Sequence, residues 1–415
     1  MMLKRHRDAT GPTLIAAPIL AALIALAACC PVSLIPTQPT ASPQATTTPT
    51  ARPTQPTDTP TPTSAPPTAS PTQPPEPTPT AQPLPSPPPP PAGGGSKVGV
   101  HGIWSNRIPE FAQALADAGA PFRVVKAVDD VGWLKEIKRI SPQTVTVGRL
   151  THGHEGAALT NDPATDLDWY AGVLMEPILA RVWDDPALRQ GVDYWEVTNE
   201  PLGSGVALDA YVRLARLMIT CIDVAEANDL KLALFGFSAG TPEWEEWAAI
   251  VETGVFARAK AGGHIVALHE GVFGDDPIDT WWNVHFVDAD GNPTTENTGV
   301  TAPGGWIPGG PVLEGAGALC LRYRFLYHLL EARGEVVPLF VSEFYAGGGY
   351  DPANKADVVE RMRWYDAQIG VDDYVLGFGP FTLGPVPGWE GQDYEPFYDG
   401  EDGLIAYISL DADKR

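Results

Sequence analysis

Acidic residues are almost missing from the first quarter of this chain, and basic ones are scarce in the rest. Of 51 acids and 27 bases, residues 1–95 hold three acids (Asp8, Asp58, Glu76) and four bases (Lys4, Arg5, Arg7, Arg52). The remaining 320 residues set 48 acids against 23 bases, a formal charge of −25. A surface of that sign repels phosphate backbones and anionic head groups, which argues against nucleic acid or a membrane surface as partner. Cysteine is nearly absent too, with four in 415 residues, so a disulfide-rich scaffold is excluded. Proline is unevenly spread. Of 44 prolines, 23 fall between Pro31 and Pro91, and that stretch lacks the apolar residues a packed domain needs.

At the start, Lys4, Arg5 and Arg7 precede an apolar run from Leu14 to Cys30, which has the length and flanks of a signal sequence. It ends Leu26-Ala27-Ala28-Cys29, which resembles the lipobox of bacterial lipoproteins and makes Cys29 the expected lipidated N-terminus. A plain anchor helix or ordinary secretion is the alternative. Residues 31–95 are rich in Pro, Thr, Ser, Ala and Gln and read as a disordered, semi-rigid stalk in extended polyproline II. The expected organisation is a signal over 1–30, a linker over 31–95 and one catalytic domain over 96–415.

From Ser96 the pattern changes to short β-branched or apolar runs, each followed by a helix-period stretch. Strands are expected near Val98–His101, Arg123–Ala127, Thr144–Arg149, Tyr194–Thr198, Leu232–Phe235, Ile265–Leu268, Leu339–Ser342 and Tyr374–Phe378. Leu208, Tyr211, Leu214, Leu217, Met218, Cys221, Ile222 and Ala225 trace one buried face of a helix. Eight alternating strands and helices point to an α/β fold of the (β/α)8 TIM-barrel type, with a site at the C-terminal strand ends. A doubly wound open sheet is the alternative. Cys221 and Cys320 fall in separate helical stretches and are expected to be buried thiols.

The segment Tyr194-Trp195-Glu196-Val197-Thr198-Asn199-Glu200-Pro201 carries the most information. Period two sends Glu196 and Thr198 to one side and Trp195 and Val197 to the other, and Pro201 stops the ladder just past Glu200. A second strand, Leu339-Phe340-Val341-Ser342-Glu343-Phe344, ends in another acid, and a charge there demands a partner or a use. Two carboxylates converging on one pocket can divide labour, one giving a proton to a leaving oxygen while the other attacks an oxocarbenium-like centre.

This pair resembles clan A of the glycoside hydrolases, retaining barrel enzymes with an Asn-Glu acid/base after strand four and a Glu nucleophile after strand seven. The resemblance is specific in Trp195–Pro201 and Phe340–Phe344. It implies Glu200 as acid/base, Glu343 as nucleophile, their carboxyl groups about 5–5.5 Å apart, Asn199 on the sugar 2-hydroxyl, and no cofactor. The chain departs from the clan pattern in having no tryptophan in Gly377-Phe378-Gly379-Pro380-Phe381-Thr382 and no tyrosine in Leu268-His269-Glu270-Gly271. His269 is the candidate to replace part of the missing tyrosine's role, and Arg149 the candidate to hold Glu343 ionised.

About forty residues follow strand six, from Gly271 to Val312, and contain Trp281, Trp282, His285 and Trp306. The tail after strand eight contains Trp389, Tyr394, Phe397 and Tyr398. Aromatic faces stack on sugar rings, so Trp281, Trp282, Trp306 and Trp389 are candidate substrate contacts; packing of the loops onto the barrel is the other reading. Two rival functions stay open. His152-Gly153-His154-Glu155, with His101 and His269, would suit a metal-dependent hydrolase. A non-catalytic sugar-binding lipoprotein is the third. Under the favoured reading the partners are a carbohydrate and, through Cys29, a membrane lipid layer, and the chain is expected to act as a monomer.

Overall fold

The computed structural model describes residues 95–203, 205–272, 286–287, 289–290, 292–294, 305–347 and 351–410. Eight of its strands form one sheet: β1 (Val100–Gly102), β2 (Val124–Val128), β3 (Val145–Arg149), β4 (Tyr194–Glu196), β5 (Leu232–Phe237), β6 (Ile265–Val272), β7 (Leu339–Ala346) and β8 (Val375–Pro380). Each pairs in parallel with the next in chain order. The two edges then meet. Gly99 N donates to Phe378 O at 2.7 Å, and Phe378 N donates to Lys97 O at 3.1 Å, closing the sheet into the expected barrel. A two-residue antiparallel pairing, Phe286–Val287 with Pro293–Thr294, lies between β6 and β7.

Parallel strands need cover on both faces, and β2, β5 and β7 are buried at every position. Val124, Val147, Ala233, Ile265, Ala267 and Phe340 pack as a small cluster of their own. Val124, Val147 and Ala267 stand two residues before Lys126, Arg149 and His269, so by strand parity they form the floor beneath those polar side chains. A much larger apolar layer lies between the strands and the outer helices. The helix Leu208–Glu226 shows why the pattern was readable: Tyr211, Leu214, Ala215, Met218, Cys221, Ile222 and Ala225 are all buried along one stripe. The helix Leu167–Asp184 starts where the Asp166 carboxylate accepts from Asp168 N at 2.9 Å and Trp169 N at 3.3 Å. Among the described residues no helix is long and apolar enough to cross a membrane.

Some details differ from expectation. β4 stops at Glu196 rather than Thr198, because the Thr198 hydroxyl donates sideways to Phe235 O at 2.7 Å instead of its backbone continuing the ladder. β6 and β7 run four residues further than expected, to Val272 and Ala346. Cys221 and Cys320 are free and buried. Cys320, however, precedes its helix, which begins at Tyr323 after Leu321 takes the left-handed φ of 59° that helical backbone excludes.

Candidate active site

Glu343 is the centre of a buried cluster to which most of the barrel strands contribute. It leaves β7 with 4% of its surface exposed. From β2, Lys126 Nζ donates to Glu343 Oε1 at 3.2 Å and to Glu196 Oε1 on β4 at 2.8 Å. From β3, Arg149 Nη1 reaches Glu343 Oε1 at 3.4 Å, and its Nε bonds Glu155 Oε2 at 3.1 Å. From β7 itself, the Tyr345 hydroxyl donates to Glu343 Oε2 at 2.6 Å. Two imidazoles complete the ring. His101 Nε2 on β1 stands 3.6 Å from Glu343 Oε1, and His269 Nε2 on β6 stands 3.7 Å from it. The register explains the convergence, since His269 is paired with Glu343 and Arg149 with Glu196 across neighbouring strands.

Electrostatics in this cluster favour a carboxylate. Burial alone would raise Glu343, but His269, Lys126 and His101 around it outweigh burial and hold it well below the usual carboxylate range. Glu196 is lowered in the same way, with burial opposed by Lys126 and Arg149. Burial pushes His101 down to about 4, so at neutral pH its ring is uncharged and interacts by hydrogen bonding; its Nδ1 lies 3.0 Å from Thr382 Oγ1. The Arg149 charge is opposed by burial, yet Glu343, Glu196 and Glu155 together raise its pKa.

Glu200 sits at the mouth. Its side chain is 41% exposed, and its Oε1 lies 3.1 Å from His269 Nδ1. The same imidazole therefore faces Glu200 with one nitrogen and Glu343 with the other. The bond to His269 outweighs burial and the Glu343 charge, which act the other way, and holds the Glu200 carboxyl below its ordinary value. Asn199 is half-buried; its N–H donates to Glu155 O at 3.1 Å, and its side-chain Oδ1 is buried with no hydrogen-bond partner among the described residues. Glu155 thus ties two parts together, holding Arg149 with its carboxylate and Asn199 with its carbonyl.

Of the residues singled out in the sequence, Glu200, Glu343, His269 and Arg149 meet in this cluster. Trp389 lies 45% exposed, its ring edge-on to Phe381 with centroids 5.2 Å apart. Phe381 in turn packs 4.8 Å from His101 and 5.5 Å from Tyr345, so Trp389 continues an aromatic surface from the Glu343 pocket outward. Trp306 is half-buried and donates its indole N–H to Gly310 O within its own loop at 3.1 Å. Tyr394, Phe397 and Tyr398 are buried and pack the tail onto the barrel. Trp281, Trp282, His285 and Cys29 lie outside the described residues.

The residues that pattern reading missed are Lys126, Glu196 in its paired role, His101 as a neighbour of Glu343, and Tyr345. Lys126 is a charged residue in the middle of an apolar strand, a signal that was there to find. As to metals, among the described residues one group of three has ligand atoms within 4.8 Å of one another: Glu196, His269 and Glu343. His152 and His154 are on the β3–helix loop with rings 6.5 Å apart and do not belong to it. Lys126 Nζ already bonds two of the three, placing a unit cation where a divalent ion would sit.

No protein-family model matches this chain. No curated protein matches it in sequence. Solved structures similar to it include a monomeric β-xylosidase from Caulobacter crescentus CB15, at 13% identity and TM-score 0.34, covering 74% of this chain and 65% of that one. A family 39 glycoside hydrolase from Bacteroides cellulosilyticus WH2 is 11% identical with TM-score 0.43, covering 76% of this chain and 63% of its own. A mannotriose complex of a β-mannanase from Thermomonospora fusca is 14% identical with TM-score 0.36, over 75% and 91% respectively. This chain spans less than two thirds of the length of the first two. The barrel itself rests on the strand pairing described above.

Proposed function

We propose that this protein is a retaining glycoside hydrolase that cleaves O-glycosidic bonds of an extracellular oligo- or polysaccharide by double displacement. One observation carries the reading: two glutamates, one just after β4 and one on β7, face opposite nitrogens of one histidine in environments that set them apart. Glu343 is buried and held ionised, as a nucleophile must be. Glu200 is at the mouth, where a leaving group departs and water enters.

In the first step Glu343 attacks the anomeric carbon while Glu200 gives a proton to the glycosidic oxygen, which leaves with the aglycone. The covalent ester removes the Glu343 charge, and that charge is one of the two influences raising the Glu200 pKa. With that influence gone the Glu200 carboxyl drops further, so it stands ionised and able to take a proton from water in the second step. Asn199, with its unpartnered Oδ1, is the candidate contact for a sugar hydroxyl, and Trp389 the candidate stacking face. The proposed export route is lipidation at Cys29 after cleavage of residues 1–28, with the Pro/Thr-rich segment as stalk. A mature N-terminus elsewhere with no lipid mass would overturn that part.

The deciding experiment pairs Glu343→Ala and Glu200→Ala on an activated aryl glycoside with azide added. Azide is expected to restore the first with inverted product configuration and the second with retained configuration. Identical products from both variants would refute the assignment. A chelator arm tests the second reading, a metal-dependent hydrolase, for which Glu196, His269 and Glu343 are the candidate ligand group among the described residues: loss of activity on chelation would select it over the glycosidase.

A further inference from the structure

The end of β5 departs from regular strand geometry next to Glu200. Phe235 and Gly236 have φ of 80° and 62°, two successive residues in the left-handed half of backbone space. In the pairing with β6, Phe235 stands opposite Ala267 and Phe237 opposite Leu268, so Gly236 is the extra residue of a bulge. Period two along β5 would send Phe235 and Phe237 into the barrel with Ala233. The bulge turns them outward instead: Phe235 packs 5.8 Å from Phe256, and Phe237 5.4 Å from Trp247, on the outer helices.

The two freed carbonyls point back to the acid-bearing segment. Phe235 O accepts the Thr198 hydroxyl at 2.7 Å, and Gly236 O accepts the Glu200 N–H at 2.8 Å. Glu200 itself has φ of 45°, a conformation that an ordinary L residue holds only when its surroundings impose it. The position demands glycine, since a Cβ on Gly236 would lie 2.7 Å from Thr198 O.

We infer that the β5 bulge at Phe235–Gly236, locked to Thr198, is the element that aims the Glu200 carboxyl, so that Thr198 and Gly236 are positioning residues for proton transfer. The inference rests on the reading of Glu200 as acid/base. It requires that damage to the bulge be felt in protonation of the leaving group and hardly at all in attack by Glu343. Geometry is the reason: the bulge bonds the Thr198 hydroxyl and the Glu200 N–H, no hydrogen bond or ion pair among the described residues joins it to Glu343, and a displaced carboxyl loses alignment with the oxygen it must protonate.

The test compares kcat/KM for a series of aryl and alkyl glycosides of rising leaving-group pKa in three variants: Gly236→Ala, Thr198→Val and Glu200→Gln. Thr198→Val is included because Gly236→Ala is the variant most prone to misfold, and it keeps shape while removing the bond to Phe235 O. The expected result is a loss on poor leaving groups of about tenfold or more, a part of the 10²–10⁴ that general acid catalysis supplies. On the best leaving groups activity should stay within about twofold. Equal losses across the series for Thr198→Val would overturn the inference and leave the bulge a scaffold. If Glu200→Gln itself shows no dependence on the leaving group, the acid/base reading fails, and the inference with it.

Discussion

Two buried acids on adjoining strands, Glu343 and Glu270, show how the barrel wall separates two kinds of polar environment. Glu343 points into the barrel and meets Lys126, Arg149 and Tyr345. Glu270, next in sequence to His269, points to the outer layer. It accepts from Leu321 N at 2.7 Å, Tyr323 N at 3.1 Å and the Tyr365 hydroxyl at 2.6 Å, all neutral donors. Both are fully enclosed, yet their acidities diverge. The cations inside hold Glu343 well below the carboxylate range, while burial pushes Glu270 up to about 7 despite its donors. Enclosure alone therefore does not decide whether an acid is charged; the sign of what it is enclosed with does. The inner acid is chemically poised, and the outer one fastens the entry of the helix Tyr323–Arg333 to β6.

The sharpest break in this contrast is to remove the inner charge. Glu343→Gln should lower turnover on the order of 10⁴-fold or more, measured as kcat on an aryl glycoside, whereas Glu270→Gln should leave kcat within about tenfold. Next in size is removal of the shared cation. Lys126→Met leaves Glu196 and Glu343 facing each other in the barrel and should cost about 3–5 kcal/mol in denaturant unfolding. Adding Glu196→Gln should recover part of that loss, and a double mutant no more stable than the single would show that Lys126 acts through something other than this pairing.

A smaller effect is expected from Tyr345→Phe, which deletes a hydrogen bond to a charged oxygen and keeps the ring against Phe381. The expected loss in kcat/KM corresponds to about 1.5–3 kcal/mol, with KM little changed. The smallest effect is in pH dependence, and its sign differs between the two acids. Glu343 is depressed in the fold, so its contribution to stability is present above the unfolded carboxyl pKa and is lost as pH falls below it. Glu270 is raised, so its contribution is complete below its unfolded pKa of 4.5 and is lost as pH climbs through about 7. Glu270→Gln should flatten the stability curve between those limits by on the order of 1 kcal/mol. An unchanged slope there would mean that Glu270 is ionised throughout.

Much of this architecture was legible beforehand because it follows from short-range periodicity. The burial stripe of Leu208–Glu226 and the β-branched runs place helices and strands without reference to the rest of the chain. Glu200 and Glu343 stood out because acids at the ends of apolar strands are costly unless partnered. Period two failed at β5, where it would face Phe235 and Phe237 into the barrel. A bulge adds one residue, reverses parity beyond it, and announces itself only by a glycine, Gly236, of which the chain has 42.

The amino-acid sequence by itself determined the alternation of strand and helix, the strand ends that carry acids, and the net negative charge of residues 96–415. These are properties of neighbours along the chain. Only the tertiary structure decided that Lys126 of β2 lies between Glu196 of β4 and Glu343 of β7, and that Tyr345 and His101 face the same carboxylate. The physical reason is closure. Strand parity says which side chains enter the barrel, but which of them meet across it depends on stagger and register summed around eight strands, and no local pattern records that sum.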